Sequence, residues 1–128
     1  METMKKLVDE RLLESKEEEL KYCLPIREAI AYLDEHFHEP ITLREVAERL
    51  HLNPSYFSVL FKEQTELTFS EYVSRLRIQR AKEMLLRTDC SVGEIAEQVG
   101  YQTDKYFIKV FKSIEGLSPS KYRTKVKG

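Results

Sequence analysis

Three lysines, Lys105, Lys109 and Lys112, recur at spacings of four and three residues within the stretch "VGYQTDKYFIKVFK", residues 99–112. On a helix turning about 100° per residue they share one arc with Ile108, while Tyr106, Phe107, Val110, Phe111 and Ile114 fill the opposite arc of roughly 140°. A row of ammonium groups does no bond-breaking chemistry. It neutralises anions, so the chemistry on offer is the binding of a polyanion. The same frame occurs earlier in the chain with a different outward set, Ser55, Ser58, Val59 and Lys62. Hydroxyls there can donate or accept hydrogen bonds, and Val59, like Ile108, can touch a methyl group.

Catalytic and metal-binding chemistries find no comparable support. His36, His38, His51, Cys23 and Cys90 are the candidate metal ligands, but their spacing matches no zinc pattern, and residues 36 and 38 face different ways on one helix. There is no phosphate-binding glycine loop, no GxSxG or HExxH, and no Ser/His/Asp set in a pocket-like context. The reading is of a non-enzyme without cofactor, metal or small-molecule ligand. The two cysteines make no disulfide framework and are expected to be buried thiols.

A chain of 128 residues with 41% hydrophobic residues fits one domain, or two very small ones. Charged residues make up 34%, with only four glycines and four prolines, which points to mostly helix. No apolar run is long enough to span a bilayer, and Met1 begins an acidic segment unlike a signal peptide, so a cytoplasmic location is expected. The net charge of −1 hides an asymmetry: residues 1–40 sum to −5 and residues 41–128 to +4. An acidic leader precedes a mildly basic body.

Met4–Leu24 reads as a charged helix with a thin apolar stripe, too short for a coiled-coil seam. Pro25 then opens a helix carrying Ile26, Ile30, Leu33 and Phe37. Thr42 with Glu45 reads as a capping box for a helix to about Leu50, and Asn53-Pro54 starts another to about Glu66. A longer helix over about 69–87 carries Val73, Leu76, Ile78, Ala81, Met84 and Leu85, with Arg75, Arg77, Arg80, Lys82 and Arg87 on its other face. Ser91 with Glu94 is a second capping box, Gly100 stops that helix, and Thr103 caps the next, which ends at Gly116. Ser118-Pro119 opens a final short turn through Tyr122.

The body repeats itself. "TLREVAERLHLNPSYFSVLFKEQTELTFSEYV" aligns with "SVGEIAEQVGYQTDKYFIKVFKSIEGLSPSKYR", at a period of about 50 residues that is too few copies for a solenoid. Each copy has a short helix with a small residue at mid-length (Ala47, Ala96), a turn of about four residues and a second helix, the proportions of a helix–turn–helix. The aromatic residues Tyr56, Phe57, Phe61, Tyr106, Phe107 and Phe111 are expected to be core.

These motifs resemble those of a known family. "EIAEQVGY…KYFIKVFKSIEGLSPSKYR" is similar to the C-terminal half of the DNA-binding domain of AraC/XylS-type transcription regulators, and "REVAERLHLNPSYFSVLFKEQTELTFSEYVSRLRIQRAKEMLL" resembles its first half and linker helix. The resemblance covers about 25–125. The lead-in "LPIREAIAYLDEHFHEPITL" most resembles the version attached to receiver domains in two-component response regulators. The family implies an all-α, seven-helix module whose two helix–turn–helix subdomains, joined by a long linker helix, place recognition helices in successive major-groove segments. On this chain that gives an acidic helical leader or linker (1–24), a first subdomain (25–69), a linker helix (70–87) and a second subdomain (88–128).

Double-stranded DNA is then the expected partner. Ser55, Ser58, Val59, Lys105, Ile108 and Lys109 are the base-reading candidates, since base edges are read by donors, acceptors and contacts to thymine methyls. Thr42, Lys62, Arg75, Arg77, Arg80, Ser91, Thr103 and Lys112 are the phosphate candidates, positioning without specifying, and Lys105 suits either role. The linker-helix arginines can equally form a solvated face, with Arg77 or Arg80 paired to a carboxylate. Val59 stands where members often carry Arg, Ile108 where a small polar residue is common, and Glu66 where the second copy keeps Gly116. RNA polymerase is an expected partner, and residues 1–24 a route to a homodimer. The competing reading is a protein-interaction module with a decayed DNA face acting through that leader. DNA-repair methyltransferases that carry this DNA-binding type need a cysteine cluster that is absent here.

Overall fold

The computed structural model describes residues 22–127, and most of the expected leader helix therefore lies outside the described residues. Among them the chain forms seven helices and no strand: α1 (Leu24–His36), α2 (Leu43–Arg49), α3 (Pro54–Thr65), α4 (Phe69–Arg87), α5 (Val92–Gln98), α6 (Asp104–Glu115) and α7 (Pro119–Lys127). None of these helices is long and apolar enough to cross a membrane.

Local sequence decides where each helix begins. Thr42 Oγ1 accepts from Glu45 N, Asn53 Oδ1 from Ser55 N and Tyr56 N, Ser91 Oγ from Glu94 N, and Thr103 Oγ1 from Tyr106 N. Each bond satisfies a backbone donor that the first helical turn leaves open. The reciprocal capping box forms at α4, where Thr68 Oγ1 accepts from Glu71 N and Glu71 Oε1 accepts from Thr68 N. Pro25 and Pro54 occupy the first turns of α1 and α3, where a missing N–H costs nothing. The segment after Ser118 differs from its expectation: it continues to Lys127 as a full helix, because Pro119 and the Ser118 hydroxyl, which accepts from Lys121 N, start it as Thr68 starts α4.

Two apolar cores result. The first gathers Ile26, Ala29, Leu33, Val46, Ala47, Phe57 and Phe61 with Phe69 and Val73 of α4. The second gathers Ile95, Ala96, Val99, Tyr101, Phe107 and Phe111 with Ile78, Ala81 and Leu85 of α4. The ring geometry repeats: Phe57–Phe61 and Phe61–Tyr72 centroids lie 5.7 and 5.3 Å apart, and Phe107–Phe111 and Phe111–Tyr122 lie 5.9 and 5.6 Å apart. Such edge-on pairs add to plain area burial. At 100° per residue, the α4 positions serving the first core point about 140° away from those serving the second. The helix is thus a wall with one core on each side, offset along its length. Cys23 and Cys90 pack partly buried against the two cores rather than inside them.

That double burial splits the linker-helix cations, which do not share one face. Arg75 and Lys82 fall on one stripe, and Arg80 and Arg87 on another about 140° away. Lys82 Nζ lies 3.1 Å from Glu115 Oε1 and so ties α4 to the end of α6.

Helix ends carry a local cost in the first copy. Glu66 ends α3 at φ 67°, and His51 follows α2 at φ 58°, where the second copy has Gly116 at 87° and Gly100 at 103°. A side chain in the left-handed region costs about 1 kcal/mol. Glu66 is exposed, so Glu66→Gly is expected to stabilise the fold by about 0.5–1 kcal/mol, read as a higher midpoint in urea at unchanged m-value.

Candidate nucleic-acid interface

The outward arcs of α3 and α6 are solvent-facing in full. Ser55, Ser58, Val59 and Lys62 are exposed on α3, as are Lys105, Ile108, Lys109 and Lys112 on α6. Val59 is 59% exposed and Ile108 37%. No salt bridge among the described residues engages Lys62, Lys105, Lys109 or Lys112, so these ammonium groups are available to an anion. Both helices are held by their inner phenylalanines: Phe57, Phe61, Phe107 and Phe111 have no exposed surface.

The tyrosines beside them behave otherwise. Tyr56 and Tyr106 were expected in the cores, yet each is 56% exposed. Each immediately precedes the inward phenylalanine, about 100° round the helix, so its ring leaves the core at the rim. Tyr106 rests against Tyr101, with centroids 5.8 Å apart.

Two surface depressions show which way the helices face. One is lined by Thr42, Ser58, Ser70, Ser74 and Arg77 among others, and the second by Ser70, Ser74, Arg75, Tyr106, Lys109 and Ser113 among others. They share Ser70 and Ser74, one turn apart on α4. Ser58 of α3 and Lys109 of α6 therefore flank the same strip of α4, which puts both outward arcs on one side of the molecule. Glu71 also lines the second depression. Its carboxyl is held below the usual carboxylate range, chiefly by the Thr68 backbone N–H and hydroxyl, with Lys62 and Arg75 adding to the effect.

The phosphate candidates separate by position. Arg75 sits with Lys109 beside the shared strip. Arg80 lies about 140° away round α4, 3.2 Å from Glu83 Oε2, in a different depression with Phe37, His38 and Arg87. Arg77 is half-buried, and its guanidinium is engaged by backbone carbonyls rather than by a carboxylate. Its Nε donates to Phe37 O at 2.7 Å and its Nη2 to Glu39 O at 3.0 Å, because the guanidinium meets carbonyls of the loop beyond the end of α1. Thr42, Ser91 and Thr103 use a lone pair to cap their helices, which leaves each hydroxyl proton to donate. The repeat-based reading also passed over Arg123, whose Nε donates to Leu85 O at 3.0 Å and Nη2 to Thr88 O at 3.1 Å. It does for the end of α4 what Arg77 does for the end of α1.

Comparison with known proteins identifies this arrangement. The family described as "Helix-turn-helix domain" matches residues 46–125, which take in α3, α4, α5, α6 and nearly all of α7. Among solved structures, the C-terminal domain of AraT, a response regulator from Geobacillus stearothermophilus, superposes with a TM-score of 0.78 at 38% identity over 80% of this chain and 86% of that one. The chain belongs to the AraC/XylS-type helix–turn–helix family. The DNA-binding domain of AdpA, a global transcriptional factor solved in complex with a target DNA, is a similar AraC/XylS-type module, with a TM-score of 0.77 at 26% identity over 80% of this chain and 93% of that one. Among curated relatives, the uncharacterised transcriptional regulator YtdP of Bacillus subtilis is 46% identical over 87 residues. Those residues are 68% of this chain and 11% of YtdP, and the next two curated relatives are spanned over 33% of their length. The chain therefore spans a third or less of the length of these curated relatives.

Proposed function

We propose that this chain binds double-stranded DNA sequence-specifically in transcription regulation, inserting α3 and α6 into successive major-groove segments. The observation that carries it is the placement of both outward arcs along one strip of α4. Residues 25–69 and 88–128 act as the two reading units, and 70–87 as the helix between them. Lys109, with Lys105, donates to guanine edges, Ser55 and Ser58 donate or accept, and Val59 and Ile108 contact thymine methyls. Lys62, Lys112 and Arg75, with the capping hydroxyls of Thr42, Ser91 and Thr103, hold phosphates. The exposed tyrosines Tyr56 and Tyr106 join that set. Such a module works by binding rather than catalysis, in the cytoplasm, and RNA polymerase is the partner through which occupancy changes transcription. Residues 1–24 are proposed to serve a second copy of the chain.

Selection of bound duplexes from a random DNA pool tests this reading. The expected result is two short motifs about one helical turn apart, 10–10.5 base pairs centre to centre. Recovery of a single motif would mean that only one helix reads bases, and recovery of none would overturn the proposal.

A further inference from the structure

Besides the continuous helix α4, the two units meet where the loop after α1 faces the α5–α6 turn. The loop after α1 passes Phe37, His38 and Glu39 across α4, and the α5–α6 turn brings Gly100 and Tyr101 against it from the other unit. A Cβ placed on Gly100 would lie 2.8 Å from His38 O and 3.1 Å from Arg77 Cζ, so the two backbones pack closely with Arg77 beside them. The Arg77 fork is fixed in its plane by the carbonyls of Phe37 and Glu39 in the first unit. Its carbon lies 5.3 Å from the centre of the buried Tyr101 ring in the second. One side chain therefore hydrogen-bonds to two carbonyls of one unit and sets its cation over a ring of the other, a combination that the rigid guanidinium fork holds with less freedom than an ammonium.

The loop itself has little freedom. Glu39 N donates to His36 O at 2.9 Å, Ile41 N to Glu39 O at 2.8 Å, and His36 Nδ1 contacts Glu39 Oε2 at 2.5 Å. Burial lowers the Arg77 pKa from its usual value, with the Tyr101 and Tyr106 phenols opposing, and the group stays charged throughout the ordinary pH range. Rotation of the second unit about α4 would either lift Tyr101 off the guanidinium or drive Gly100 into the His38 carbonyl. α3 and α6 each belong to one of these units, so their separation is set at this junction.

We propose that Arg77 is a positioning residue that fixes the distance and angle between the two recognition helices, and with them the half-site spacing that the protein accepts. This rests on the reading of α3 and α6 as a DNA-binding pair. One base pair added between half-sites moves the second by about 3.4 Å and turns it by about 35°. A clamped pair cannot follow that change, whereas a hinged pair can.

The probes are the best duplex from the random-pool selection and the same duplex with one base pair inserted or removed between its motifs. Wild type is expected to bind both altered duplexes at least tenfold more weakly. In Arg77→Lys and Arg77→Gln that penalty is expected to fall below about threefold, with binding to a duplex carrying the α6 motif alone unchanged. Variants that keep the full wild-type spacing penalty overturn the clamp and leave the DNA reading intact. So does a wild type indifferent to spacing. A wild type that retards no duplex overturns both. Loss of helical circular dichroism in both variants before any DNA is added also overturns the clamp, because Arg77 would then hold the fold and not the spacing.

Discussion

Replacing Gly100 with alanine is expected to lower the thermal midpoint by about 12 °C. Two penalties coincide at this position. The backbone stands at φ 103°, beyond the left-handed well that an L-residue reaches near 50–70°, and such strain costs about 1–3 kcal/mol. The added methyl also meets the His38 carbonyl oxygen at 2.8 Å. That oxygen is backbone, in a loop pinned by the Arg77 fork, so little can give way. Together the two amount to about 3 kcal/mol, and in a chain of this length each kcal/mol moves the midpoint by about 4 °C. Gly116→Ala is the internal control. Its φ is 87°, yet nothing lies within 4 Å of the added atom, so only the conformational part of about 1 kcal/mol applies. Scanning calorimetry of both variants separates the terms, and equal midpoints would show that the contact with His38 has no energetic weight.

The second large effect is on DNA. Changing Lys105, Lys109 and Lys112 together to alanine is expected to weaken binding to the selected duplex by at least a hundredfold at moderate salt. Each cation that neutralises a phosphate contributes about 0.9 to the slope of log affinity against log salt, so the triple variant should lose at least the share of about 0.9 that Lys112 supplies. Removing Lys62, the lone cation among the outward set of α3, should reduce it by about 1. The asymmetry comes from Val59 and Ser58, which read by methyl and hydroxyl contact and release no counterion. Within the α6 set, Lys109→Ala should also relax base preference where its partner guanine stood, since a base-edge contact is worth about 1–3 kcal/mol. A titration from 50 to 200 mM salt on each variant provides the slopes, and a slope unchanged in the triple variant would remove α6 from the interface.

How much of this was legible in the chain depends on where the information sits. The caps at Thr42, Asn53, Ser91 and Thr103 are local, because side chain and backbone partner are three residues apart or fewer, and they read directly from sequence. So does the inward set of α6, whose period repeats in α3. The core membership of Tyr56 and Tyr106 misled because position on a helical arc does not say how far the opposing surface reaches. The run of cations on α4 misled for a related reason. A helix buried on opposite sides in its two halves has no single polar face, and only the positions of both cores reveal that. Arg77 and Arg123 find carbonyls 35–40 residues away in sequence, which no periodicity encodes.

The placement of α4 has a thermodynamic consequence. Its Phe69 and Val73 complete one core, and its Ile78, Ala81 and Leu85 complete the other. If the chain were cut after residue 87, the latter three would be stranded in water on a helix whose own unit never covers them. Opening either half removes a wall from the other. The two copies are therefore expected to melt as one cooperative unit: slow amide exchange in α2–α3 and in α5–α6 should report a single shared opening energy, although the repeat would suggest two separable modules.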